Sequence, residues 1–289
     1  MNDPKTADVP GTRPPPGACD AHGHVFADPK TFPLAAASYA VPDAPYARHR
    51  DMLDAAGVSR GVLVQPAPYA DDHRAILDAL SQSDGRLRGV GLISSSVSDD
   101  TLTQLASGGI RGARFVEARL PDGSRYAGSV GFDEIPALAS RLREHRIHVE
   151  VWSTIEAFVA ALPMFEAAGV PVVLDHMGGF EPAKGVNDPN FQSLLDLVRD
   201  GRVWLKLTLN RRSGQRPGFA ELRPFHDALV QANPRQLVWG SDWPFVRMAD
   251  PPSVEALLDL FALWVDDASL RHAILVDNPA RLYGFGAPP

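Results

Sequence analysis

His22 and His24 flank Gly23 at the end of an apolar run, Ala18-Cys19-Asp20-Ala21-His22-Gly23-His24-Val25-Phe26. In an extended chain, residues two apart project from the same face, so both imidazoles leave the backbone together. Two further polar residues stand where other short β-rich runs stop. His176 follows Val172-Val173-Leu174-Asp175, and Asp242 follows Leu237-Val238-Trp239-Gly240-Ser241. Three imidazoles and a carboxylate are a suitable donor set for Zn²⁺ or a similar divalent ion. The same groups can work without a metal: a carboxylate takes a proton from water while imidazoles stabilise charge on a carbonyl oxygen. Both alternatives stand at this point: no cofactor, or one divalent ion held by His22, His24, His176 and Asp242, with zinc the first choice. Asp242 is the candidate general base; the competing role is a cap for the turn into Trp243-Pro244.

Arginine presents a planar fork that matches a carboxylate bidentately. Arg114 lies inside the apolar run Gly112–Phe115, where an unpaired charge is costly. It therefore needs either a substrate carboxylate or an internal counter-charge. Arg212, in Lys206-Leu207-Thr208-Leu209-Asn210-Arg211-Arg212-Ser213, is taken as a second anion-binding residue, although position separates it only weakly from Arg211. Arg119 is a further candidate that a solvated loop would explain equally well. Tyr39 and Tyr69 fall on the loops after the first and second strands, and Trp152 closes the fifth. His49, His73, His145, His148, His226 and His272 read as packing or surface histidines, and Cys19 as a small buried hydrophobe.

These residues are positioned by alternating β-branched runs and amphipathic segments. The runs are 18–25, 61–65, 89–94, 112–115, 148–152, 170–176, 203–208 and 236–241. Helical patterns cover 44–56, 72–83, 99–106, 132–144, 155–168, 191–199 and 219–232, with 253–264 and 269–276 after the last run. Nearly continuous apolar strands imply a parallel sheet, and their number and the 289-residue length favour a single-domain (β/α)8 TIM barrel, distorted in detail. No Gly-x-Gly-x-x-Gly follows the first strand, so a dinucleotide site lacks its phosphate turn. The polar, proline-rich residues 1–17 form an expected disordered arm, leaving 18–289 as the barrel. The segment 26–45 is placed to wall or cover the barrel mouth.

A formal charge of −7 gives no general attraction to nucleic acid or anionic lipid. No apolar run approaches the ~20 residues of a membrane span. One cysteine excludes an internal disulfide framework and suits a reducing cytoplasm. No apolar core of a secretory signal is visible. The expected partner is a small molecule, and the Ala- and Leu-rich helix faces leave room for a homo-oligomer.

With these residues placed, the chain resembles the amidohydrolase superfamily over about Ala18–Gly284, nearest the branch of pyrone-dicarboxylate and sugar-acid lactonases. The matching segments are the Cys19–Phe26 run, Val64-Gln65-Pro66, Gly109–Phe115, Leu174–Gly178, Trp239–Pro244 and Asp277–Tyr283. The resemblance implies a distorted barrel that hydrolyses small cyclic esters, in a branch that works without bound metal. A binuclear centre would need a lysine or glutamate on strand four and a histidine on strand five, where this chain has Arg114 and Trp152. The branch's pyrone lactonase carries an arginine after its His-Met-Gly triplet, where this chain has Gly179, and a tyrosine at the place of Trp152. The expected activity is opening of a carboxylated lactone by water, with Asp242 as base. A lactone isomerase or a metal-dependent decarboxylase on the same site is the alternative.

Overall fold

Eight short runs of mainly Val, Leu and Gly become parallel strands because both of their faces are buried, as a sheet covered by helices requires. In the computed structural model, which describes residues 13–37, 39–213 and 218–286, they are β1 (Cys19–Gly23), β2 (Arg60–Val64), β3 (Leu87–Leu92), β4 (Ile110–Val116), β5 (His148–Trp152), β6 (Val172–Leu174), β7 (Trp204–Leu207) and β8 (Leu237–Trp239). They pair in strict sequence order with helices between them, forming the TIM barrel. Residues 1–12 of the expected arm lie outside the described residues; at its end, Ala18 N donates to Pro15 O.

β1, β6, β7 and β8 are shorter than their sequence patterns, and the ends of β6 and β8 shape the site. β6 stops before His176 because His176 and Met177 adopt φ of 50° and 56°. β8 stops before Asp242, whose φ is 64°. Left-handed backbone cannot continue a strand, and here it turns the polar residue into the barrel mouth. The helical pattern 155–168 is two helices, Ile155–Ala160 and Leu162–Ala168. Pro163 lacks the N–H that an unbroken helix would need. Thr154 caps the first by accepting from Ala157 N, and Gly169 ends the second at φ 59°.

The C-terminal segment closes the opposite end. Tyr283 packs edge-on against His148 at 5.4 Å. The guanidiniums of Arg60 and Arg88 lie over the Phe285 ring at 5.1 and 4.7 Å. Arg60, Arg88 and His148 all stand at strand starts, so this plug leaves the strand ends to carry the site.

β1 and β8 meet through a parallel bridge between Gly23 and Trp243 rather than a full ladder. Asp242 N donates to His22 O and His24 N to Trp243 O, both at 2.8 Å. Asp20 stitches the same seam. Its carboxylate accepts from Ser241 N at 2.8 Å, Ser241 Oγ at 2.5 Å and His22 N at 3.2 Å. Burial raises the Asp20 carboxyl to about 6 even against these hydrogen bonds. An acid with a raised folded pKa stabilises below its unfolded value of 3.8 and loses that contribution as pH rises through about 6. Asp20→Asn keeps the shape without the charge. In urea unfolding, the wild type should therefore lose stability relative to this variant across that pH window.

Candidate active site

A bulge in β1 between Asp20 and Gly23 shifts the pairing with β2. It brings the rings of His22 and His24 to 5.0 Å, edge to face. His176 joins them, its ring 4.9 Å from that of His22. Asp242 completes the group: Oδ1 lies 3.6 Å from His22 Nε2 and 3.2 Å from His24 Nε2. The sequence-predicted quartet is thus one cluster, contributed by β1 and the ends of β6 and β8. His24 Nδ1 donates to Val64 O at 2.6 Å, since a carbonyl only accepts. That bond directs Nε2 toward Asp242.

The cluster stands at the floor of a cleft that is open to solvent. His24, His176, Asp242, Arg114, Tyr39 and Trp152 line it, together with Arg211, Arg247 and Tyr126, which the sequence reading did not select. Burial, ahead of every other influence, holds His22 and His176 well below the ordinary imidazole value, so both are neutral at pH 7. For Asp242, burial acts to raise the pKa. The Arg211 guanidinium, first, and the His24 contact overcome it and hold the carboxyl well below the usual range.

The anion-binding candidates separate. Arg114 Nη1 donates to Gln65 O at 2.9 Å, and its Nη2 is 3.7 Å from Asp175, so it has an internal counter-charge while still lining the cleft. Its guanidinium also lies 5.7 Å from the centre of the Trp152 ring. Arg212 lies outside the cleft: it donates to Phe180 O at 2.9 Å and to Arg211 O at 3.1 Å. Arg211 takes the place in the cleft and bonds Asp242 through Nε and Val246 O through Nη1. The short 3-10 turn Leu209–Arg211 after β7 sends the two side chains apart, which a linear pattern does not show. Arg119 pairs with Glu117 on the surface. Tyr69 is buried beneath the loop after β1, where its hydroxyl accepts from Ala27 N at 2.9 Å. Arg247 stands at the rim, 5.6 Å from the Tyr39 ring and 5.2 Å from the Tyr126 ring, and donates to the Tyr126 hydroxyl at 3.1 Å.

Two overlapping triads, His22–His24–Asp242 and His22–Asp175–His176, bring their ligand atoms within 4.8 Å, a spacing that a metal ion could bridge. Among the described residues, three protein cations already touch this set. Arg114 lies 3.7 Å from Asp175. Arg211 contacts Asp242, and the Lys206 ammonium lies 3.1 Å from His22 Nδ1. Lys206 and Glu150 are fully buried charges inside apolar strands, the same signal that singled out Arg114 in the sequence.

A barrel with imidazoles and a carboxylate at its strand ends defines a hydrolase-like architecture, and residues 19–285 match the amidohydrolase family model. The chain belongs to the amidohydrolase family. It is 34% identical over 275 residues to a 4-sulfomuconolactone hydrolase of Rhizobium radiobacter, covering 93% of this chain and 91% of that protein. It is 33% identical to a 2-pyrone-4,6-dicarboxylate hydrolase of Comamonas testosteroni, covering 93% and 90%. A Pseudomonas putida crystal structure, described as a candidate 2-pyrone-4,6-dicarboxylic acid hydrolase, superposes with a TM-score of 0.79 at 31% identity, over 93% of this chain and 98% of that one.

Gly179 explains one departure from the lactonase pattern. Its φ is 73°, and a Cβ there would stand 2.1 Å from Ser153 O. No side chain fits without moving the backbone. Gly179→Ala should cost at least about 2 kcal/mol in a denaturant melt, well beyond an ordinary Gly→Ala change.

Proposed function

We propose that this protein opens a small carboxylated lactone by hydrolysis. The observation that carries this reading is an ionised, buried carboxylate grouped with three imidazoles and facing a cleft lined by Arg114, Arg211 and Arg247. The lactone hydrolases among its relatives support it. In this reading, water attacks the ring carbonyl carbon while Asp242 takes its proton. The imidazoles stabilise the oxyanion of the tetrahedral intermediate. Collapse breaks the ring C–O bond, and the departing oxygen recovers the proton from Asp242. The product carboxylic acid then ionises and releases one proton to solution.

Arg114 and Arg211 orient the acid group of the substrate from the cleft walls, with Arg247 at the rim. Arg211 belongs to both halves of the site, because a substrate carboxylate and Asp242 compete for the same guanidinium. A substrate that draws Arg211 toward itself leaves Asp242 the stronger base. No metal takes part in these steps. A divalent ion at Asp242 would have to share that carboxylate with the Arg211 guanidinium.

Proton release from a panel of carboxylated lactones, run with and without a chelator, tests the reading. Base-consuming ring opening that survives chelation is the expected result. An isomeric product without proton release, or evolved CO₂, would replace hydrolysis with isomerisation or decarboxylation. Asp242→Asn should lower kcat about 10²–10⁴-fold while ligand binding persists in calorimetry. Because Asp242 is held well below its ordinary 3.8, wild-type kcat/KM should show no acid limb from this group above about pH 4. Arg211→Met leaves burial dominant, so that limb should move upward in the pH–rate profile.

A further inference from the structure

Below the cleft lies a buried charge cluster that the proposed steps do not use. Lys206 Nζ, on β7, is 2.7 Å from Glu150 Oε2 on β5, 3.3 Å from Asp175 Oδ1 and 3.1 Å from His22 Nδ1. His22 Nδ1 is also 3.1 Å from Asp175 Oδ1, so a cation and a carboxylate contend for one ring nitrogen. The two make opposite demands. An ammonium only donates, which requires a bare Nδ1 and places the imidazole proton on Nε2. A carboxylate only accepts, which requires the proton on Nδ1.

The contact with Lys206 has hydrogen-bond geometry, whereas neither Asp175 carboxylate oxygen has a hydrogen-bond partner despite being buried. His22 Nε2, at the other side of the ring, is likewise buried without a partner and lies 3.6 Å from Asp242 Oδ1. We infer that Lys206 is a positioning residue that fixes His22 as the Nε2–H tautomer and so turns its second donor toward the Asp242 carboxylate, 3.6 Å away, from beneath the cleft. Glu150 anchors the ammonium. Without Lys206, the proton moves to Nδ1 and bonds Asp175, and the bare Nε2 faces the Asp242 carboxylate. The donor that steadies Asp242 is then replaced by a lone pair facing it. The tautomer assignment stands on this geometry alone; the catalytic use of the donor rests on the lactonase reading.

The test is a long-range ¹H–¹⁵N spectrum of the full chain labelled at histidine, with the His22 signals assigned by their absence in His22→Gln. The expected wild-type pattern is a protonated Nε2 and a bare Nδ1. Lys206→Met should exchange the two and lower kcat about 10–100-fold with little change in KM, the scale of losing an orienting partner. Glu150→Gln, which keeps the volume and loosens the anchor, should move both readouts the same way by less. A protonated Nδ1 in the wild type overturns the inference, and this result needs no variant to fold. So does a Lys206→Met protein that loses turnover with the His22 tautomer unchanged, since that marks a merely structural role. If no lactone is turned over, the lactonase reading fails while the spectrum still decides the tautomer.

Discussion

The seam between β1 and β8 sets everything at the mouth of this barrel. It is short, and a carboxylate rather than a ladder of backbone bonds holds it: Asp20 takes both donors of Ser241 and the His22 amide. β1 and the residue that follows it carry two of the imidazoles, and the turn beyond β8 supplies the base. The bond from Asp242 N to His22 O therefore fixes base and imidazoles at a constant separation. A slip of one residue would turn either set away from the cleft, because side chains alternate along a strand. Gly240 permits this close approach, since a Cβ there would stand 2.7 Å from His22 Cβ.

The second constraint is charge in a place without water. Glu150, Asp175, Lys206 and Arg114 are buried in the barrel and lie within one connected set of contacts. Isolated, each would be expelled or neutralised. Glu150 shows the balance: burial acts to raise its pKa, and the adjacent Lys206 brings it below the usual carboxylate range. Such networks add little net stability compared with apolar packing of equal volume. Their value here is orientation, because side chains that must satisfy one another have few positions left.

Much of this was legible in the sequence, for physical reasons. Buried parallel strands are apolar on both faces, so the runs stood out, and His22, His24, His176 and Asp242 were conspicuous as polar residues at their ends. The strand ends were less visible, because left-handed turns at His176 and Asp242 replace extended backbone without changing composition. The choice between Arg211 and Arg212 depended on a single 3-10 turn, and adjacent residues in a loop carry no periodicity to separate them. Arg247 and Tyr126 reach the cleft from loops distant in sequence, and only the fold brings them together. Lys206 and Glu150 did carry a signal, a charge inside an apolar run. It was weighed for Arg114 alone, because an arginine suggests an anionic ligand and a lysine–glutamate pair suggests only itself.

The plug at the far end has a consequence for how the chain is made. Asp20 and Ser241 are 221 positions apart, and Tyr283 and Phe285 lie later still. During translation, β1 emerges with one edge open, and Arg60 and Arg88 wait without the ring they will cover. Contacts of such long range form late and slowly. A growing chain can thus assemble most of its helices and strands before Ser241 closes the seam and Tyr283 and Phe285 plug the base.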